Sequence, residues 1–346
     1  MLNKTPSRVI YFDVLNVLAC FAVIALHHNG IVHNYNINTA AWKQALAFEV
    51  IFFWAVPVFF MLSGATLLDY RSKYTTKQFF IKRVLRAVIP FLVWSLILLL
   101  HSWVIGRFSY KSVTDVFNAI ITTKVPHGNV YWFFIPLIAL YCFIPVLSLL
   151  KDNKPILWYI VIFIFVTHSC LPILFPLLGL RYNSALTFPT TGYVIFLLLG
   201  YLFAHLELSK NQRIVIYILG LVSAFIRYFG TIHYSVLDGK VNKIFFSYLQ
   251  FHSVLLALAI FVFVKYSVQH ITENRERFAI IMSNLSSCSL GIYLIHILVM
   301  SYEQHFFSIS ASNPYWRFLG AFMTYGVCLI IVFLGKKIPY VKAIFP

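Results

Sequence analysis

The chain has 346 residues, of which 61% are hydrophobic and only 11% charged. That much apolar surface exceeds what a soluble core of this length can hide, which excludes an ordinary water-soluble globular protein. The net charge of +17 comes with no basic run interleaved with exposed aromatics, so nucleic acid is not an expected partner. The charge is read instead as a topology signal and as attraction to the headgroups of membrane lipids.

Apolar runs near the length that crosses a bilayer, about 20 residues, recur throughout the chain. They lie at roughly 10–28, 45–68, 85–105, 131–150, 156–178, 190–206, 213–230, 245–265, 285–302 and 315–335. The pattern predicts an all-α, polytopic membrane protein of about ten transmembrane helices, with residues 1–346 forming one domain. Pro172, Pro176 and Pro189 interrupt the middle spans, where neighbouring helices can re-satisfy the freed backbone groups. One set of alternate loops carries 18 Lys and Arg and the other 9, which puts both termini in the cytoplasm. The pieces 29–44, 106–130 and 227–244 are then outer loops and 266–284 an inner one. The first span is read as a membrane helix rather than a cleaved leader, being too long and lacking a small-residue cleavage site. All five cysteines fall within apolar spans without C-x-x-C spacing, which predicts buried structural thiols. No repeat of fixed period is visible, which disfavours an inverted-repeat transporter.

The first span carries polar groups at both ends. Asp13 and Asn16 lie near its start, and His27 follows Asn16 by eleven residues, which returns to within about 20° of the same helix face. At about 1.5 Å per residue the two are ~16 Å apart along the axis. Ionisable groups at membrane depth are functional-site hypotheses by default. The spacing alone is equally compatible with an N-terminal acid and interfacial histidines. In the next span, Ser63 and Gly64 interrupt a bulky apolar run and suit a close helix approach as readily as a site. Lys82-Arg83-Val84-Leu85-Arg86 leads into the third span, with Arg83 and Arg86 as i,i+3 neighbours. Two such guanidiniums suit a phosphate or pyrophosphate, although positive-inside anchoring is the simpler reading from sequence alone.

Glu49 and Glu303, near outer ends of spans, could pair with His28 or a donor group, although solvation at the interface is the simpler expectation. His101, His168, His205 and His252 are expected to be satisfied or interfacial. His233 and Asp238 have the spacing of glycerol-phosphate acyltransferases, but they fall in an expected outer loop without flanking support. Gly-rich phosphate loops, H-E-x-x-H, G-x-S-x-G and metal-spaced His/Cys sets are all missing from the sequence, so no metal site is expected.

Five elements in order resemble the acyltransferase-3 family of integral membrane acyltransferases. They are Phe12-Asp13-Val14-Leu15-Asn16 followed by His27; Phe59 to Gly64; Arg83, Arg86 and Pro90; Trp132, Phe133, Tyr141 and Pro145; and Gly291-Ile292-Tyr293-Leu294-Ile295-His296. The overall look is closest to the enterobacterial-common-antigen O-acetyltransferase type. The family's arginine in the first helix is Asn16 here, an amide that hydrogen-bonds but carries no charge.

The resemblance implies an acyl-CoA donor, acetyl-CoA by family habit, and a glycan or lipid-linked sugar as acceptor in a bacterial cell membrane. Asp13, Asn16 and His27 form the expected catalytic element. Imidazole suits a general base because its unperturbed pKa, about 6.5, lies near working pH. Arg83 and Arg86 are expected to hold the nucleotide phosphates, and Ser63, Trp132, Tyr293 and His296 to face substrate. A secondary transporter or flippase for an anionic or glycolipid substrate is the competing class, and a family fold that has lost catalysis a third.

Overall fold

The computed structural model describes residues 9–107, 109–186, 191–272 and 276–345. Pro189, and Lys4, Arg8 and Arg275 of the topology count, lie outside them. The described residues are mostly helical and contain no strand. The first three helices are α1 (Ile10–His28), α2 (Ala40–Phe52) and α3 (Ala55–Leu67). A bent rod follows, made of α4 (Thr76–Arg83), a π-helical turn at Val84–Val88, and α5 (Ile89–Val104). Next come α6 (Val113–Ile121), α7 (Phe134–Leu147), and α8 (Lys154–Ile164), which runs through a second π segment, Phe165–Cys170, into α9 (Leu171–Leu177). The last five are α10 (Val194–His205), α11 (Lys210–Asp238), α12 (Phe251–Thr272), α13 (Glu276–Phe307) and α14 (Pro314–Gly335).

Among the described residues, nine stretches are long and apolar enough to cross a membrane, and α10 is a shorter apolar helix. The protein is therefore a polytopic α-helical membrane protein. Local chemistry sets many of the boundaries. Thr75 with Gln78, Ser112 with Asp115, and Ser209 with Gln212 form reciprocal caps that satisfy orphan N–H groups at the starts of α4, α6 and α11. Gly239, at φ +64°, ends α11 in a left-handed conformation open to glycine.

Both π segments precede a proline by two residues, Pro90 and Pro172. A proline ring clashes with the carbonyl four residues earlier and offers no N–H to it, and widening the helix there relieves both problems. The carbonyls concerned belong to Arg86 and His168. The first bulge therefore falls on the basic segment leading into α5.

α1 is the central helix, packed on α13, α14, α3 and α12. The largest helix–helix seams elsewhere join α3 to α10 and α11 to α12. At the α3–α10 crossing the backbones touch. A Cβ built on Gly64 would lie 1.8 Å from the Leu197 carbonyl oxygen, and one on Gly200 would lie 1.9 Å from that of Met61. Such close approach by small residues is how helices gain dispersion contact where lipid is as apolar as the side chains.

Several expectations change. The second span is two helices, α2 and α3, with a break at 53–54. Residues 227–238, expected in an outer loop, belong to α11, which also carries His233 and Asp238. Most of the expected inner loop 266–284 is helix as well, in α12 and α13. Arg227, counted as a loop cation, is buried. It bonds the Phe245 and Glu49 carbonyls at 3.0 Å each, approaches the Glu49 carboxylate at 3.4 Å, and lies 3.5 Å above the Phe53 ring. Glu49 is likewise buried rather than solvated, because a helix extended this far brings it a cation. Cys20, Cys288 and Cys328 are buried, Cys170 is half-buried, and Cys142 is exposed on α7.

The glycine crossing makes a testable contrast. Gly64→Ala or Gly200→Ala drives a methyl into backbone and is expected to cost about 1–3 kcal/mol or more. Gly326, in α14, has open space around it, so Gly326→Ala is expected to gain roughly 0.5–1 kcal/mol from helix propensity. Thermal unfolding of the detergent-solubilised protein reads both signs.

Candidate active site

The site is built on a polar seam between α1 and α13, which run in the same direction. Asn16 donates to the Ser286 carbonyl at 3.1 Å and to its hydroxyl at 2.9 Å. One turn on, the Cys20 thiol lies 3.5 Å from the Ser289 carbonyl. Near the far end the rings of His27 and His296 lie 5.4 Å apart between centroids, tilted by 46°. Asn16 and His27 thus both face α13, eleven residues apart on one helix against ten on the other.

A cavity of about 670 Å³ opens beside the seam, within the usual range of ligand pockets, roughly 300–1,000 Å³. Of the expected residues, Asp13, Asn16, Ser63, Arg83, Arg86 and Tyr293 line it. Asp13 is buried, and it is the one acid among the lining residues. The Ser63 hydroxyl donates back to the Phe59 carbonyl at 3.0 Å, within its own helix. Arg83 is half-buried, 5.7 Å from the Tyr141 ring centre, while Arg86 is exposed at the rim. Both sit on the bent rod where Pro90 forces the π turn.

His27, His296 and Trp132 are not among the lining residues. Tyr293 stands between: its ring meets Phe133 at 5.8 Å, Phe134 at 6.1 Å and Phe59 at 6.5 Å, and on the other side His296 at 5.7 Å. Its hydroxyl donates to the Val130 carbonyl. The cavity and the histidine pair are therefore neighbours separated by a layer of aromatic rings. Trp132 belongs to an adjoining stack. It lies over Tyr248 at 5.6 Å and 21°, and Tyr248 in turn lies on Phe53 at 4.0 Å and 11°.

His296 has a determined tautomer. Its Nδ1 is 2.7 Å from the Tyr293 carbonyl, which can only accept, so Nδ1 carries a proton. Nε2 is buried and makes no hydrogen bond among the described residues. A neutral ring held this way presents an unshared lone pair, which is what a proton acceptor needs.

Residues 9–333 match the family model described as an acyltransferase domain. The chain belongs to the acyltransferase-3 family. It is thus a membrane acyltransferase. The chain matches none of the curated proteins and none of the solved structures compared with it.

In this acyltransferase the sequence reading missed several lining residues. Ser286, Ser287 and Ser289 bring polar atoms from α13, and Lys336 a cation from the end of α14. The run Ser286-Ser287-Cys288-Ser289 was a visible signal, since hydroxyls three apart in an apolar helix share a face. Lys336 was hidden in the topology count.

A buried chain at the His27 end makes the pairing of Glu303 with His28 that the sequence left open, through a residue it did not point to, Thr324. His28 Nδ1 donates to the Trp316 carbonyl at 3.1 Å, and its Nε2 lies 2.9 Å from the Thr324 hydroxyl, which is bonded to the Glu303 carboxylate. With Nδ1 protonated, the Thr324 hydroxyl links His28 Nε2 to the Glu303 carboxylate. Glu303 is buried rather than solvated at the interface, and the Thr324 hydroxyl donates to its carboxylate. Thr324→Val removes the linking hydroxyl and is expected to cost about 1–3 kcal/mol of stability, with Thr324→Ser near native in the same melting assay.

Proposed function

We propose that this single-domain acyltransferase is an O-acetyltransferase of the enterobacterial-common-antigen type, residing in the bacterial cell membrane. It takes the acyl group from cytoplasmic acetyl-CoA and transfers it to a hydroxyl of a surface glycan or lipid-linked sugar. The observation that carries this reading is the pairing of a cation-rimmed cavity with two facing imidazoles just beyond its aromatic end. Positive-inside bias favours a cytoplasmic location for the rim with Arg83 and Arg86.

Arg83 and Arg86 receive the nucleotide phosphates, where guanidinium forks match the oxygens. The pantetheine arm follows α1 past Asp13, Asn16 and Ser63 toward Tyr293. His27, with His296 beside it, takes the proton of the acceptor hydroxyl as that oxygen attacks the thioester carbonyl. The tetrahedral intermediate expels CoA thiolate, which receives the proton, so an ester and a thiol replace an alcohol and a thioester. Trp132 and its stack offer a flat face for the sugar.

Two measurements test the reading. O-acetyl signals of surface glycans, by NMR, are compared in cells with the native gene, a deletion and His27→Ala at equal protein level. Loss of one signal in both altered strains supports the assignment. Unchanged acetylation in all three sinks it and favours transport or a non-glycan acceptor. In membranes, Arg83→Gln and Arg86→Gln are each expected to raise the KM for acetyl-CoA by about tenfold or more, as loss of a charge-assisted bond predicts. Pro90→Ala, which lets the π turn relax to regular helix, is expected to raise it through misplacement of both arginines.

A further inference from the structure

Lys336 is the third cation among the residues lining the cavity, and it comes from a different element. Arg83 and Arg86 belong to the bent rod that opens α5, whereas Lys336 follows the last residue of α14. Its ammonium donates to the Ser287 carbonyl at 2.7 Å. That bond pins it against α13, beside the seam where Asn16 meets Ser286. The next residue makes a useful contrast. Lys337 is exposed, and its ammonium lies 4.6 Å from the centre of the Phe333 ring, which is not among the lining residues. Either lysine would satisfy the negative end of α14. Only Lys336 is turned into the cavity wall, so helix capping does not account for its position.

Resting on the acyl-CoA reading above, we infer that Lys336 is the receptor for the 3′-phosphate of the donor's adenosine and that it sets selectivity for coenzyme A over its dephosphorylated form. A CoA molecule presents two separate anionic centres. The pyrophosphate is a bridging diester, suited to the paired planar guanidiniums. The 3′-phosphate is a terminal monoester carrying about −1.5 to −2 at pH 7, and a compact ammonium serves it as a point charge. Two cation groups supplied by different elements match two anions on one ligand. Asp13, the one acid in the lining, is buried near the Asn16 end of the seam, where the uncharged pantetheine arm would pass.

The test uses the full chain in native membranes or detergent, with acetyl-CoA and 3′-dephospho-acetyl-CoA as alternative donors. The native protein is expected to show a KM about tenfold higher for the dephospho donor, the size of one charge-assisted phosphate contact. Lys336→Gln is expected to raise the KM for acetyl-CoA to that of the dephospho donor, which it leaves alone, with kcat unchanged. Lys336→Arg keeps most of the discrimination, and Lys337→Gln leaves both constants at native values. Arg83→Gln weakens both donors alike, so the ratio stays native. The assignment is overturned if the native protein uses the two donors equally, or if Lys336→Gln leaves their ratio intact. Failure of the native protein to bind or turn over either donor removes the acyl-CoA reading itself, and this assignment with it.

Discussion

The polar seam between α1 and α13 is the constraint on which the rest of the molecule turns. In hydrocarbon an unsatisfied polar group has no water to fall back on, so each must find its partner inside the bundle. Asn16 finds Ser286, Cys20 approaches the Ser289 carbonyl, and His27 meets His296. These pairs fix both the rotation and the height of α1 against α13. With that register set, Asp13 and Asn16 can only face the cavity and His27 can only face the second imidazole. Slipping α1 by one residue would turn it about 100° and break all three pairs together.

What the sequence made legible follows from periodicity and composition. Apolar runs of bilayer length are strong signals, and the return of His27 to the face of Asn16 is simple helix geometry. The misreadings share a cause, which is that charge was taken as a marker of loops. Arg227 looked like a loop cation because its partner, Glu49, is 178 residues away. Hydropathy sees neither, whereas the paired guanidinium is stable at depth because Glu49, Phe245 and Phe53 all attend it. The preference for a solvated Glu303 over one paired with His28 has the same cause, since the link between them runs through a threonine that looks inert in sequence. The meeting of His27 with His296 was beyond sequence reading, as it depends on which helix α13 packs against. The π turn was closer to legible: Pro90 stands four residues after Arg86, and the clash it imposes is local.

Asn16 stands where the family pattern has arginine, and the packing around it gives a physical account. Its amide already donates to the Ser286 carbonyl and hydroxyl. A guanidinium there would bring a charge to membrane depth and need a compensating partner. In this protein the cations lining the cavity are Arg83, Arg86 and Lys336 instead, of which Arg86 is exposed and the other two half-buried, where partial access to water lowers the cost of desolvation. On the proposed reading, an amide in the seam with charge on the cavity lining separates two tasks, holding α1 in register and attracting an anionic donor. Loss of the arginine from α1 is therefore compatible with retained donor binding.

The aromatic layer around Tyr293 answers a problem raised by the proposed reaction. A transferase that draws its donor from one side of a membrane and its acceptor from the other needs a passage, yet an open one would leak ions. Phe59, Phe133 and Phe134 pack around Tyr293, whose hydroxyl is tied to the Val130 carbonyl. A charged or hydrated species meets a dry aromatic wall there and must shed its water to enter it. In the proposed reaction a thioester on a slender, uncharged arm pays a smaller penalty, that of its amides rather than of a charge, and rings can shift rotamer to admit it. On that reading the same exclusion of water protects the thioester from hydrolysis and strengthens the hydrogen bond that His296 makes to the Tyr293 carbonyl. In the proposed reaction, sealing the membrane and keeping the acyl group for the sugar hydroxyl are thus two consequences of one packed layer.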